Sequence, residues 1–140
     1  MRISENIVLQ KVSGVDLPWV NFRLLDKRIL YLNFKPLEDE FDLKMAKTHA
    51  KVVADLLGND GAYFVLNFQG THINFSNDAR EFFASDKNHT KNRKSQAIVI
   101  DSLAHKLVAN FYLRFNKPKG PTKVFEDLEA AFQWTLSLNL

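Results

Sequence analysis

Residues 94–118 read KSQAIVIDSLAHKLVANFYLRFNKP, and this stretch predicts the fold class. It opens with the apolar run 97–100, passes through Asp101 and Ser102, and continues as a helical pattern that ends before Pro118. A buried strand that leads directly into a helix is half of a β-α-β unit. The stretch therefore predicts an α/β fold with parallel strands and covering helices.

The residues upstream predict a hairpin and then a helix. Apolar and polar residues alternate over 20–24, the chain turns at Asp26 and Lys27, and residues 29–34 return as a second strand. A helix is predicted over 42–57, with Asp42 as its N-cap and Gly58 as its stop. Its apolar face follows the 3.6-residue period and consists of Leu43, Ala46, Ala50, Val53, Ala54 and Leu57.

The remaining chain predicts further strands alternating with helices. A strand at 63–68 precedes a short helix capped by Ser76, and a polar, basic surface loop follows at 86–95. After the helix 102–116, a strand is predicted at 122–125 and a last helix at 127–138. We expect a mixed sheet that starts with the hairpin and is covered by about four helices. The strands at 63–68, 97–100 and 122–125 should be parallel, because helices separate them.

Length and composition indicate one soluble domain. Within the 140 residues we assign 19–140 to the domain and 1–18 to an N-terminal segment, in which Ile7-Val8-Leu9 could form an edge strand and Gly14 with Pro18 marks a break. The chain has no cysteine, which excludes disulfides and thiol chemistry. It shows no signal-peptide pattern and no run long enough to span a membrane. We therefore expect a cytoplasmic protein.

Catalytic motifs are missing from the sequence. The four histidines, His49, His72, His89 and His105, share no metal-ligand spacing, and no phosphate-binding glycine loop or serine-hydrolase motif occurs. The acidic run at 38–42 is best explained as charge at the start of a helix. Asp101, at the end of a strand, is predicted to help cap the helix that begins near Ser102. We expect no metal, no cofactor and no enzymatic activity.

The order of elements resembles the STAS family, the sulfate-transporter and anti-sigma-factor-antagonist domain, and in particular its SpoIIAA-like branch of small bacterial proteins. The resemblance covers residues 19–138. It is carried by SNDAREFF at 76–83, by AHKLVANFYL at 104–113, by KVF at 123–125 and by AAFQW at 130–134. It implies a STAS-like fold and a regulatory or protein-interaction module whose partner is another protein.

The resemblance also implies a phosphorylation switch, which can be checked by residue type. In classical antagonists a strand ending in an acidic residue leads to Asp-Ser-Ser-Gly at a helix N-terminus, and a kinase phosphorylates the second Ser. In this chain Asn67 takes the position of the acid, Asn77 that of the acceptor and Asp78 that of the Gly. Asn77 cannot be phosphorylated, and Asp78 would repel a phosphate. Ser76 is left as a shifted acceptor or as a plain N-cap.

Two other functions stay open from the sequence. The helix 102–116 is apolar on more than one side, which suits a helix packed between layers, the wall of an apolar pocket or a dimer surface. The residues concerned are Leu103, Leu107, Phe111, Tyr112 and Phe115. SpoIIAA-like domains are also similar to some lipid-carrying domains, so a lipid or another apolar ligand is the first alternative. A homodimer is left open.

The second alternative is an anion-binding edge. In parallel β-α-β units the loops after the second and third helices lie at the amino-terminal edge of the sheet, which should gather basic residues there. These are Lys87, Lys91, Arg93, Lys94, Arg114, Lys117 and Lys119. Lipid headgroups or nucleic acid would fit such an edge. Nucleic acid is not favoured as a partner, because the net charge is only +3 and no aromatic residue interleaves the lysines.

Overall fold

A sheet whose strands lie side by side in the order of the sequence organises the fold. The computed structural model describes residues 1–71, 73–85, 93–101 and 120–138. Within these ranges the chain forms six strands and three helices. The strands are β1 Lys11–Leu17, β2 Val20–Leu25, β3 Ile29–Phe34, β4 Ala62–Asn67, β5 Arg93–Val99 and β6 Thr122–Phe125. The helices are α1 Leu43–Leu57, α2 Asn77–Ser85 and α3 Leu128–Leu138.

Strand directions confirm the predicted mixed sheet. The first three strands form an antiparallel meander, in which β1 pairs with β2 and β2 with β3. From β3 onward every pairing is parallel, up to β5 with β6. The predicted strands at 63–68, 97–100 and 122–125 are thus all parallel. The fourth predicted helix, at 102–116, lies outside the described residues.

Each face of the sheet carries its own apolar layer. On one face α3 and the N-terminal residues Ile7 and Leu9 cover the sheet, and Phe132 of α3 is fully buried. On the other face α1 packs against the sheet through Val53 and Leu57. Helix α2 packs against α1 around Phe41, Ala46 and Ala79.

Helix α1 begins and ends where the sequence predicts. The side chain of Asp42 accepts a hydrogen bond from Met45 N at 2.9 Å, and Gly58 follows the last turn with φ 63°. Its buried face differs from the prediction, because His49 is buried and Ala54 is exposed. The spacing of Ala46, His49, Val53 and Leu57 is the helical one. A pattern of apolar residues does not include His49, because its side chain is polar.

Two boundaries were predicted wrongly. Gly14 is not a break but lies inside β1, where an added Cβ would stand 2.8 Å from the carbonyl oxygen of Phe22. The missing side chain thus lets β1 and β2 approach closely. Strand β5 begins at Arg93, inside the predicted surface loop, and its residues Ser95 and Gln96 are buried. The start of β5 was not predicted, because its first residues are polar and a strand prediction relies on apolar residues.

Candidate functional site at the carboxyl edge of the sheet

Two loops at the carboxyl ends of the parallel strands are joined to each other. One precedes α1 and the other precedes α2, and they meet in a parallel bridge between Phe41 and Phe75. Phe41 N donates to Asn74 O at 2.8 Å, and Ser76 N donates to Phe41 O at 3.0 Å. Phe41 is fully buried, so the bridge is anchored in the core. The start of α2 is therefore held in a fixed position.

Ser76 caps α2, as its position before the helical pattern predicts. Its Oγ accepts a hydrogen bond from Ala79 N at 3.0 Å. Arg80 adds a second brace, because its Nε and Nη2 donate to Phe75 O at 3.1 and 2.8 Å. Asn77 and Asp78, the next two residues of the predicted switch, are exposed to solvent. The described arrangement thus combines a braced helix start with an uncharged amide and a carboxyl group on its surface.

Asn67 ends β4 at the position that the STAS resemblance assigns to an acidic residue. It is 6% exposed, and its amide nitrogen donates to Tyr31 Oη at 2.9 Å and, more weakly, to Asn33 Oδ1 at 3.4 Å. Its oxygen accepts from Gln69 N at 3.0 Å. Burial raises the pKa of Tyr31, and the hydrogen bond from Asn67 opposes that rise in part. This position therefore supplies a neutral, hydrogen-bonded amide.

The loop after β4 is tied to the ends of both following strands. Gly70 N donates to the Asp101 carboxylate at 2.9 Å, and Gln69 Nε2 donates to Glu126 O at 3.0 Å. Asp101 thus binds the loop after β4, a role that the sequence did not predict. Its predicted part in capping a helix near Ser102 lies outside the described residues.

Beneath the bridge lies a cluster of aromatic rings that the sequence reading missed. His49, 4% exposed, is surrounded by Phe22, Phe34, Phe41 and Phe83, with ring centroids 4.9 to 6.2 Å from its own. Phe34 also stacks on Phe68 at 4.3 Å. Helical spacing along α1 was the signal that could have placed His49 here. The rings fill the space between α1 and the sheet at this edge.

The other predicted sites fall largely outside the described residues. That holds for the apolar set Leu103, Leu107, Phe111, Tyr112 and Phe115, and for Lys87, Lys91, Arg114, Lys117 and Lys119 of the basic edge. Of the basic edge the structure describes Arg93 and Lys94, at the amino end of β5. Lys94 is exposed, with its ammonium 5.5 Å from the centroid of the Tyr63 ring, while Arg93 is partly buried.

In the ranges that the structure describes, no group of three or more histidine or acidic residues is placed to hold a metal ion. Across the same ranges, no helix has both the length and the apolar character needed to cross a bilayer.

Comparison with known proteins identifies the family. Residues 23–139 match a family described as a domain of unknown function, DUF7793. The chain belongs to this family. The matched region of this DUF7793 protein begins within β2 and includes the Phe41–Phe75 bridge and the start of α2. No curated protein is significantly similar to it in sequence.

A solved structure is similar to the DUF7793 chain in fold. It is the crystal structure of an uncharacterized protein of the DUF3478 family with a SpoIIAA-like fold, from Shewanella loihica PV-4. The two share 13% sequence identity at a TM-score of 0.62, over 92% of this chain and 96% of that one. Identity this low shows the fold alone. The SpoIIAA-like fold predicted from the sequence is thereby confirmed.

Proposed function

We propose that this protein is a non-enzymatic, STAS-like regulatory module of the bacterial cytoplasm that binds a protein partner without a phospho-serine switch. The observation that carries the proposal is the start of α2. An exposed Asn77 takes the place of the phosphoacceptor, and Asp78 supplies a fixed negative charge beside it. A surface that already carries this charge does not need a kinase to create it.

The packing of the described residues supports an interaction module over a ligand carrier. Aromatic rings fill the layer beneath the Phe41–Phe75 bridge, with Phe22 and Phe41 fully buried. The start of α2 is braced by Ser76 and Arg80, and binding surfaces gain affinity when they are ordered beforehand. A bound lipid or other apolar ligand is the competing outcome of the test below.

The test begins with native mass spectrometry of the protein purified from its own cell. We expect a complex with a second protein chain and no added phosphate. The partner is then titrated against purified variants. Asp78→Arg reverses the exposed charge and should weaken binding by about tenfold or more. A partner surface that fits Asp78 is positively charged, so the arginine would face a like charge across the interface. Ser76→Asp keeps a good N-cap and should change binding little.

Asp55→Arg is the matched control, because Asp55 is an exposed carboxylate on α1 and the substitution makes the same change of charge. Equal effects of Asp78→Arg and Asp55→Arg would mean that α2 is not the binding surface. A phosphate on Ser76 would contradict the absence of a switch. A co-purifying lipid without a partner chain would favour the apolar-ligand function.

A further inference from the structure

Three polar side chains lie at the amino end of β5 and β6, on the sheet edge opposite the candidate site. Arg93 Nη1 donates to Gln96 Oε1 at 2.7 Å. Thr122 is the neighbour of Gln96 in the parallel pairing of β5 with β6, so its side chain lies on the same face of the sheet. Gln96 is 9% exposed, and Arg93 is partly buried.

Hydrogen-bonding capacity in this group is unused. Arg93 Nε and Thr122 Oγ1 are both shielded from solvent, and neither has a hydrogen-bond partner among the residues described. Among the described residues no carboxylate lies within 4.0 Å of Arg93. The ion pair found among them joins Arg23 and Asp16, on strands β2 and β1. Burial accordingly lowers the pKa of Arg93, with no neighbouring charge to offset it.

The unpaired donors are of the type that binds an anion. A cation withdrawn from water is costly unless a charge or hydrogen bonds compensate it. Because Nη1 is occupied by Gln96, the edge formed by Nε and Nη2 remains. This is the edge that binds two oxygens of a carboxylate or phosphate at once. The Thr122 hydroxyl can donate a further hydrogen bond to the same group.

The turn before β6 holds the group together. Gln96 N donates to Pro121 O at 2.9 Å, and Gly120, at φ 80°, lies so close to β5 that an added Cβ would stand 2.7 Å from Lys94 O. The turn is therefore held close to β5, with Thr122 beside Gln96 in the strand pairing. Lys94, the next residue, is exposed, and its ammonium lies 5.5 Å from the centroid of the Tyr63 ring.

We propose that Arg93, positioned by Gln96 and assisted by Thr122, binds a single oxyanion group, a phosphate or a carboxylate, carried by a small acidic solute or a lipid headgroup. The two groups share the pair of anionic oxygens that the Nε–Nη2 edge recognises. This differs from a diffuse basic surface, because one guanidinium with defined donors makes the contact. The site lies at the opposite edge from α2 and is independent of the proposed partner binding.

The test observes Arg93 directly. In a ¹H–¹⁵N spectrum of the wild-type protein at low salt, titration with inorganic phosphate should shift the Arg93 Nε–H signal and the Gln96 amide signals to saturation. Acetate tests the carboxylate, and sodium chloride at the same ionic strength should leave both signals in place. If neither phosphate nor acetate shifts Nε–H beyond the chloride control, the proposal is wrong, whatever the variants show.

Variants then separate a defined site from general attraction. Arg93→Lys keeps the charge but removes the bidentate edge and should weaken phosphate binding by about tenfold. Thr122→Val, of similar shape, should weaken it by about threefold. Lys94→Gln is the control and should have less effect than Thr122→Val. A loss with Lys94→Gln as large as that with Arg93→Lys would show a diffuse electrostatic surface and overturn the proposal.

A final comparison identifies the source of the anion. Vesicles of phosphatidylcholine containing phosphatidic acid are added to the labelled protein, and vesicles of phosphatidylcholine alone serve as the control. Perturbation of the Arg93 Nε–H signal by the acidic vesicles only indicates a lipid headgroup. A response to inorganic phosphate without a response to the acidic vesicles indicates a soluble anion.

Discussion

Single residues determine the chemistry of the candidate site. The amide of Asn67 ends β4 where the resemblance expects an acid, and it bonds Tyr31 and the backbone of Gln69. A carboxylate at this buried position could accept from both groups but would carry a charge away from water. The amide meets the same hydrogen-bonding needs without charge. The neutral amide of Asn67 therefore serves to hold β4, Tyr31 and the following loop together.

Tyr31→Phe tests the Asn67 network through pH. Burial raises the pKa of Tyr31 above 10.0, so the folded state holds the phenolic proton more tightly than the unfolded state. The stability from this difference is fully present below pH 10.0 and is lost as pH rises through the folded-state pKa. At neutral pH, Tyr31→Phe should cost about 1 kcal/mol, because Asn67 loses an acceptor.

The measurement is urea unfolding of wild type and Tyr31→Phe from neutral pH to above pH 10.0. The gap in the free energy of unfolding should narrow at the alkaline end, since only the wild type carries this ionisation. A gap that stays constant across the range would contradict the role given to Tyr31. Absorbance of the tyrosinate form should independently show one late titration that is lost in Tyr31→Phe.

Among the elements, the turn between β2 and β3 fixes the end of α1. Lys27 and Arg28 both have positive φ, at 60° and 59°, which is unfavourable for residues with a side chain. The guanidinium of Arg28 donates to the carbonyl oxygens of Leu57, Asp60 and Gly61 at 3.0 to 3.2 Å. These bonds satisfy carbonyls at the helix end and the following turn, and they hold the turn in its strained form.

Arg28→Ala should lower the free energy of unfolding by about 2 kcal/mol, because it removes the charged donor and keeps the strained backbone. Arg28→Gly loses the same bonds but tolerates positive φ, so it should be about 1 kcal/mol less harmful than Arg28→Ala. Chemical unfolding measures both. Arg2→Ala is the control and should have little effect, since that exposed guanidinium reaches its carbonyls only at 3.4 and 3.5 Å. Equal stability of the alanine and glycine variants at position 28 would contradict the strain argument.

Elements with local signals were predictable from the sequence, and contacts between distant segments were not. The caps Asp42 and Ser76 are visible because each acts on a backbone group three residues away. The bridge between Phe41 and Phe75 and the bond from Gly70 to Asp101 join segments about 30 residues apart, and no local pattern records them. The start of β5 was missed because Arg93, Lys94 and Ser95 are polar residues in a strand.

In the molecule as a whole, the N-terminal residues share a core with the region that matches the family, which begins at residue 23. Ile7 and Leu9 are buried against the face that α3 also covers. Ser4 Oγ donates to Glu129 at 2.9 Å, which ties the segment to the first turn of α3. The N-terminal segment thus packs on the core of the domain, and its strand β1 extends the sheet.

Ile7→Ala should destabilise the protein by about 2–4 kcal/mol, because a side chain only 7% exposed leaves a cavity between the N-terminal segment and the sheet. Val8→Ala is the matched control. Val8 is 60% exposed, and its loss should change stability by less than about 0.5 kcal/mol. Thermal and urea unfolding measure both variants. Similar, small effects of the two substitutions would show that the segment does not contribute to the core.

The order of the strands has a consequence for synthesis on the ribosome. Since each strand pairs with its neighbour in the sequence, every new strand emerges beside an edge that is already present, and none has to insert between two others. Sheet growth can thus keep pace with translation, which proceeds from the N-terminus. The face shared by Ile7 and Phe132 is the exception, because α3 follows all of the described strands in the chain. Until α3 emerges, this apolar face is left partly uncovered, and exposed apolar surface on a nascent chain favours aggregation.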